Sequence, residues 1–537
     1  MDLRALPLAL ALIALAAPAG SQVAEAPTLH GRLGLSLADA IEMGLQNNLD
    51  VEVQRHDPLI AEEEVGVAWG AFDPTLFSEL TYVDSKTPTA NALLGTTLSK
   101  VQQEPTGIGG LRGQLPLLGS QYRVGLTGAQ EGTNNAINFL SPEYSSGFSL
   151  EFRQPLMRDL IWNEPWTRVK SSRLQAETSA EAFREAVMNV VERIEKAYWD
   201  LVARDDQVRV AEKSLEFAAA QLDQTRTQYD VGVVSKVEVV EAEAGVAERE
   251  VNLIRTRNGF LNAQDVLIDL TLGAGLRADS TLEIDATDRP GEYVPYEIDV
   301  PAAVRTAFEY RPEMAAARKR IEAQDVERKF RWNQQLPELD FVLNWGESGI
   351  AGSQNPDFNC TFAGPQQPDC EAGVLDPDTG FDDTFDVWGD ADSLVVGGVV
   401  SIPIPNNSAR SAHDRSELQL RRARTEKRRL EQRIVLEVRE KARNLEAAQE
   451  GIEAAERRRI AAEEQLRAER IRLEYGESTP FDVLLRERDL VEAENQKIGA
   501  LQIYRFSVTE LDRAQGTILR NRNVRIDDVS ALRLDLR

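Results

Sequence analysis

The chain is short of the residues from which most catalytic and metal sites are assembled. Its 537 residues include only two cysteines, Cys360 and Cys370, and three scattered histidines, His30, His56 and His413, which form no metal-ligand pattern. No nucleophile–base constellation is legible, and Gly107-Ile-Gly-Gly110 has neither the P-loop nor the dinucleotide-binding form. An enzyme is therefore not expected, nor a cofactor. Aromatic residues are 6% of the chain against 28% charged, a balance that suits long helices. Positive charge is in deficit: the formal net charge is -27, which disfavours a nucleic-acid partner. Beyond the first 19 residues no apolar run reaches 18, so no transmembrane helix is expected. Any membrane crossing falls to strands.

What is present begins with an export signal. Arg4 precedes an apolar run from Ala5 to Ala17, and Ala17-Pro18-Ala19 fits the small-residue cleavage pattern. Residues 1–19 read as a signal peptide and 20–34 as a short, irregular mature N-terminus. Export puts Cys360 and Cys370, a lone pair in one acidic loop (350–393), in an oxidising compartment, where a disulfide between them is expected. In the same loop Asp376, Asp378, Asp382, Asp383 and Asp386 do not follow the EF-hand spacing, so a solvated surface is favoured over a calcium site.

The largest features are two helical hairpins. From Ser408 to Tyr475, Leu445, Ala448, Ile452, Ala455, Ala462, Leu466 and Leu473 fall on steps of 3 and 4, the period of a coiled-coil seam, with Arg459 and Glu469 also on it. At about 1.5 Å per residue this arm alone is on the order of 100 Å long. Gly476 suits a left-handed helix end, and Thr479 with Pro480 suits the cap and first position of a return helix. The earlier hairpin repeats the design. Val187, Val191, Ile194, Tyr198, Leu201, Val208, Leu215, Ala219, Leu222 and Tyr229 mark its seam, with Asp205, Glu212 and Arg226 on it; Gly232 ends the arm and Ser235 caps the return. Each tip carries an acidic residue six positions after its glycine, Glu238 and Asp482.

Two hairpins of one design imply an internal duplication. Shifting the first segment by 263 positions lays Ala40 on Ala303, Arg55 on Arg318 and Pro74 on Pro337, and the Asn47-Asn48 pause becomes Tyr310-Arg311-Pro312. The tips repeat at 244 instead, which leaves 19 extra residues in the first half between Pro74 and Gly232. The repeats are assigned to 35–272 and 300–516, with a linker at 273–299 and a tail at 517–537. After each proline comes a candidate strand (about 75–84 and 338–346), and before each long helix another (about 144–154 and 394–404). Leu76, Ser78, Leu80 and Tyr82 share one face of the first; Leu339, Phe341, Leu343 and Trp345 share one of the third. Such alternation fits a small soluble sheet or membrane-crossing strands, and the export signal favours the membrane. Four strands cannot close a barrel, so copies of the chain must pool them. Whether residues 107–129 add more strands is left open.

With these parts in place, the chain resembles the TolC-like outer-membrane efflux proteins. The most family-like stretches are Leu35-Ser-Leu-Ala-Asp-Ala-Ile41 with Asn47-Asn48, Tyr310-Arg-Pro-Glu-Met314, Gln154-Pro-Leu-Met-Arg158, Tyr475-Gly-Glu-Ser-Thr-Pro-Phe-Asp-Val-Leu484 and Leu511-Asp-Arg-Ala-Gln-Gly516. The resemblance implies a mainly α homotrimer whose strands form one 12-stranded transmembrane β-barrel, continued by a 12-helix periplasmic α-barrel. Its implied role is a passive export duct in the outer membrane, serving tripartite efflux or type I secretion. A periplasmic adaptor (membrane fusion) protein would dock at the tips Val231, Gly232, Val233, Val234, Ser235 and Tyr475, Gly476, Glu477, Ser478, Thr479, Pro480, and link the duct to an inner-membrane transporter. Asp482 would line the entrance as a ring of carboxylates with raised pKa. Glu238 would be the latch acid of the first hairpin. The family's second acidic position falls on Leu485 and its latch arginine on Ser478, leaving Lys236 and Arg486 as candidate substitutes. The rival is a periplasmic coiled-coil scaffold or adaptor with no barrel; it explains the rods but not the paired strands.

Overall fold

The computed structural model describes residues 30–88, 99–116, 118–135, 138–273, 281–289, 296–356, 358 and 379–526. The expected signal peptide and the expected Cys360–Cys370 disulfide lie outside them, as do Asp376 and Asp378. In chain order the elements are β1 (His30–Leu35), α1 (Leu37–Asn47), α2 (Leu49–Trp69), β2 (Thr75–Pro88), β3 (Ser99–Gln114), β4 (Gln121–Thr133), β5 (Leu140–Pro155), α3 (Glu164–Asp230), α4 (Lys236–Leu272), β6 (Thr281–Ala286), α5 (Val300–Tyr310), α6 (Pro312–Asn333), β7 (Glu338–Gln354), β8 (Asp392–Ser401), α7 (Asn407–Glu474), α8 (Pro480–Gln515) and α9 (Ile518–Asn521). The duplication holds in the backbone: α5 repeats α1 and β7 begins where β2 does at the shift of 263. Ser36 caps α1 through the Asp39 amide, and Pro312 starts α6 directly after the break at Arg311.

The chain packs as two units that cut across the repeats. One takes the described residues of Met1–Leu49, Arg193–Val294 and Gly451–Phe506; the other takes those of Asp50–Glu192, Pro295–Glu450 and Ser507–Arg537. In the first, β1 pairs with β6 in parallel, His30 opposite Thr281. From sequence alone these residues fall in an irregular N-terminus and a linker. The pair is short and its partners are distant in the chain, so neither strand carries a signal alone. Tyr198 of α3 is fully buried beneath it and donates to the Leu35 carbonyl at 3.0 Å, while its hydroxyl accepts from the Asp288 amide at 3.1 Å. Burial pushes the Tyr198 phenol up to about 12.

The predicted seam of α3 holds through Leu201 and then changes phase. Val187, Val191, Ile194, Tyr198 and Leu201 are buried, but beyond Val208 the buried positions are Ala211, Ser214, Ala218, Gln221 and Thr225. Leu215 and Leu222 are only half-buried, and Tyr229 is exposed. Small and hydroxyl side chains permit close helix approach, and the Thr225 hydroxyl is satisfied by the Gln221 carbonyl at 2.8 Å. In α7 the predicted seam residues Leu445, Ala448, Ile452, Ala462 and Leu466 are buried, while Ala455 and Leu473 are half-buried.

In the second unit, Ala303 and Ala307 of α5 and Met314 of α6 pack with Ile434 and Val438 of α7 and Ala514 of α8. The same unit holds a sheet of six strands in the order β2-β3-β4-β5-β7-β8, every neighbour antiparallel. Four strands had been expected. The additional two are β3 and β4, a hairpin inserted between the strands of the first repeat. Its glycines (Gly107, Gly109, Gly110 and Gly113) dilute the branched and aromatic pattern by which the others were recognised.

Candidate functional site

Each helical tip is built from a glycine turn followed by a capping box. Gly232 and Gly476 take φ of 80° and 75°, a left-handed conformation that only glycine adopts without strain. The following amides, Val233 and Glu477, reach back to Gln228 and Arg472 carbonyls at 2.8 Å, closing the same Schellman motif twice. Ser235 and Thr479 then cap α4 and α8. Their hydroxyls donate to Glu238 and Asp482, at 3.2 and 2.7 Å, and these acids accept from the cap amides in turn. Val231, Val233, Val237, Tyr475 and Phe481 are exposed around the turns, whereas Val234 is half-buried and Pro480 buried. Soluble chains seldom expose apolar side chains in such groups without a partner.

The two predicted gate acids thus have a defined local duty. The Thr479 hydroxyl and amide hold the Asp482 carboxyl below the usual aspartate range, the opposite of the shift expected for a ring of three. Ser478, at the family's arginine position, and Arg486, one of the two proposed substitutes, are otherwise engaged. Ser478 donates to Glu469 at 2.5 Å, and Arg486 pairs with Asp489 at 3.2 Å. The polar seam positions are also paired: Glu212 with Arg257 at 2.9 Å, Arg226 with Glu243 at 2.6 Å, and Arg459 with both Glu456 and Glu463 at 2.9 Å.

Sequence reading missed a buried knot near these tips. Arg249 of α4 donates to Glu487 of α8 at 2.9 Å, and Ser214 of α3 donates to the other Glu487 oxygen at 2.6 Å. Arg249 and Glu487 are 9% and 4% exposed, so the pair is shielded from water and joins the two repeats. Its only signal in the sequence is a charge on the inward face of each return helix.

The sheet of the second unit has two chemically distinct faces. Strand register aligns Leu76, Leu111, Val124, Leu150, Trp345 and Leu394 in one row across all six strands. The adjacent row, on the opposite face, reads Thr75, Arg112, Arg123, Glu151, Asn344 and Val395. At the ends nearest the helices, Arg153 and Arg158 both pair with Glu338, at 2.5 and 2.6 Å, and Arg153 also pairs with Asp340. Among the described residues no cluster of three or more metal-ligating side chains occurs, and no helix is long and apolar enough to cross a membrane.

A sheet apolar on one face and polar on the other, continuous with paired helical hairpins in a duplicated chain, has a counterpart in known proteins. The profile described as outer membrane efflux protein matches residues 113–271 and 303–517. The chain belongs to this family. Among solved structures, this outer membrane efflux protein is similar in fold to the CmeC outer membrane channel of Campylobacter jejuni (TM-score 0.60, 15% identity, 93% of this chain and 88% of that one). It is also similar to the outer membrane protein VceC of Vibrio cholerae (TM-score 0.60, 17% identity, 89% and 96%). A third is the open state of the MtrE outer membrane channel of Neisseria gonorrhoeae (TM-score 0.60, 14% identity, 91% and 91%). No curated protein matches the chain by sequence. Membership locates this efflux protein in the outer membrane.

Proposed function

We propose that the protein is a passive export duct formed by three copies, which pool their sheets into one transmembrane barrel and their helices into a periplasmic tunnel of twelve. Energy comes from an inner-membrane transporter, and an adaptor protein grips the tips through Val231, Val233, Tyr475 and their neighbours. The observation that supports this most is the two-faced sheet: its edges, β2 and β8, have no partner strand among the described residues, and β8 is exposed along its whole length. An open edge in lipid leaves backbone groups unpaired, so the sheet must be closed by further copies. The duct serves tripartite efflux or type I secretion. The test is extraction in detergent, mass measurement and planar-bilayer recording. A detergent-dependent particle of three copies that conducts, and conducts more when Asp482→Asn removes the entrance charge, supports the reading. A water-soluble single copy without conductance defeats it.

A further inference from the structure

We infer that the β3–β4 hairpin is part of the membrane wall itself, so that the closed barrel has eighteen strands rather than twelve and a correspondingly wider bore. The inference rests on the three-copy duct proposed above. Four observations carry it. The hairpin is not appended to the sheet but inserted within it: β3 pairs with β2 along fourteen positions and β4 pairs with β5 along eleven. Its strands, of 16 and 13 residues, exceed the roughly 9–11 residues a barrel strand needs to span lipid.

Second, the hairpin keeps the two-faced pattern in register. Leu111 and Val124 complete the apolar row, and Arg112 and Arg123 complete the polar one. At two of the glycines on the apolar face of β3, Gly107 and Gly113, a neighbouring side chain covers the gap. A Cβ on Gly113 would lie 2.6 Å from the Tyr122 hydroxyl, and one on Gly107 would lie 3.2 Å from Leu80 Cδ2. Aromatic and aliphatic neighbours shielding a strand glycine is a device of load-carrying sheets. An ornamental loop on the outer surface has no reason to preserve it.

Third, the hairpin turn is tied to the sheet's helix-proximal end. Gln154 donates to the Leu118 carbonyl at 3.0 Å, Ser120 donates to Gln154 at 2.5 Å, and Leu115 donates to the Ser120 carbonyl at 2.8 Å. The hairpin therefore runs the full height of β5 rather than emerging at one end. Fourth, parity is preserved. Adding two strands keeps the count per copy even, so β8 of one copy meets β2 of the next antiparallel, as every other neighbour in the sheet does.

With strands about 4.8 Å apart and tilted about 40°, twelve make a ring about 24 Å across and eighteen a ring about 36 Å across. Open area more than doubles. The duct would then admit solutes at its membrane end that a twelve-stranded barrel excludes, such as folded peptides or bulky polymers.

The test counts strands directly. Cross-sections of the trimer in lipid discs, imaged by electron cryomicroscopy, should show eighteen strands, and a variant lacking residues 99–133 should show twelve. In that variant β2 and β5 become neighbours, as β7 and β8 already are. If the deletion fails to fold, single cysteines in a Cys360→Ser, Cys370→Ser background decide. A fluorophore on Leu126→Cys should be quenched by nitroxide-bearing lipid, and the unlabelled Leu126→Cys thiol should not react with a membrane-impermeant thiol reagent; Thr127→Cys should do the reverse in both. A trimer with twelve wall strands, or a hairpin reactive from water on both faces, overturns the inference while leaving the duct intact. A dimer closing twelve strands overturns the copy number on which it rests. A particle without lipid contact defeats the duct itself.

Discussion

In the first repeat α1 and α2 run Leu37–Asn47 and Leu49–Trp69; in the second, α5 and α6 run Val300–Tyr310 and Pro312–Asn333, within a residue of the same limits. The long arms α3 and α7 differ by one residue in length, and both tips close with the same turn and cap. The strands diverge. β7 and β8 are direct neighbours, whereas their counterparts β2 and β5 have β3 and β4 between them. Helices that must pack against one another tolerate little change in length, because one added residue rotates every following side chain by about 100°. A sheet accepts a whole hairpin between two strands, since the flanking pleats and faces are undisturbed. Duplication thus left the helical part copied and the sheet free to grow.

The largest expected effect exposes where the repeats are not interchangeable. The position 244 after Arg249 is Ala493, fully buried. Arg249→Ala therefore installs the second repeat's residue in the first, but it leaves the Glu487 carboxylate buried without its partner. Breaking one side of a shielded ion pair costs about 3–5 kcal/mol. Urea unfolding followed by helical circular dichroism should show that loss, and Arg249→Met with Glu487→Leu should recover most of it. Equal loss in the double variant would mean the knot is not a closed pair.

Next come the strand faces. Leu150 and Leu394 are equivalents in the two repeats, and Leu111 sits in the same row within the inserted hairpin. Arginine on a lipid face costs about 2–4 kcal/mol near the bilayer centre. Leu150→Arg, Leu394→Arg and Leu111→Arg should each lower stability in folding into vesicles by that amount. Thr127→Arg, on the opposite face of the hairpin, should change it by less than about 0.5 kcal/mol. A mild Leu111→Arg beside two severe neighbours would separate the hairpin from the wall.

Smaller effects fall on the tips. Nothing lies within 4 Å of a Cβ at Gly232 or Gly476, so alanine there pays only the left-handed backbone penalty, about 1–2 kcal/mol. The two substitutions should speed amide exchange at their own tips equally. Unequal effects would show that one tip is strained by something its twin lacks.

How much of this was readable beforehand follows from what each signal is made of. The repeat was legible because Pro74 and Pro337, Gly232 and Gly476, and the capping hydroxyls mark chain turns that few residues can make. The four outer strands were legible because Leu76, Phe152, Trp345 and Val396 alternate with polar residues. The hairpin was not, since its glycines give no side chain to alternate. Nor was the phase change in α3, where Ser214 and Thr225 look like surface residues until their hydroxyls find Glu487 and the Gln221 carbonyl. Arg249 and Glu487 were missed for the complementary reason: charge on a helix reads as solvent-facing, and only the fold shows that each conceals the other.

The tips also allow one comparison that only assembly can break. In the single chain Asp482 is held ionised by Thr479, and a depressed carboxyl supports folding fully above the ordinary aspartate range, losing that support as pH falls through its own lower midpoint. Three copies of Asp482 around one entrance would oppose this, because mutual repulsion raises the midpoint of whichever carboxylates lie closest. The two forces have opposite signs, so a titration separates them. If the entrance ring forms, bilayer current should change with a midpoint above about 3.9, the unperturbed aspartate value, and the change should vanish in Asp482→Asn. A midpoint below that value would mean the carboxylate answers to its cap alone, and the gate charge must then be sought elsewhere on the tips.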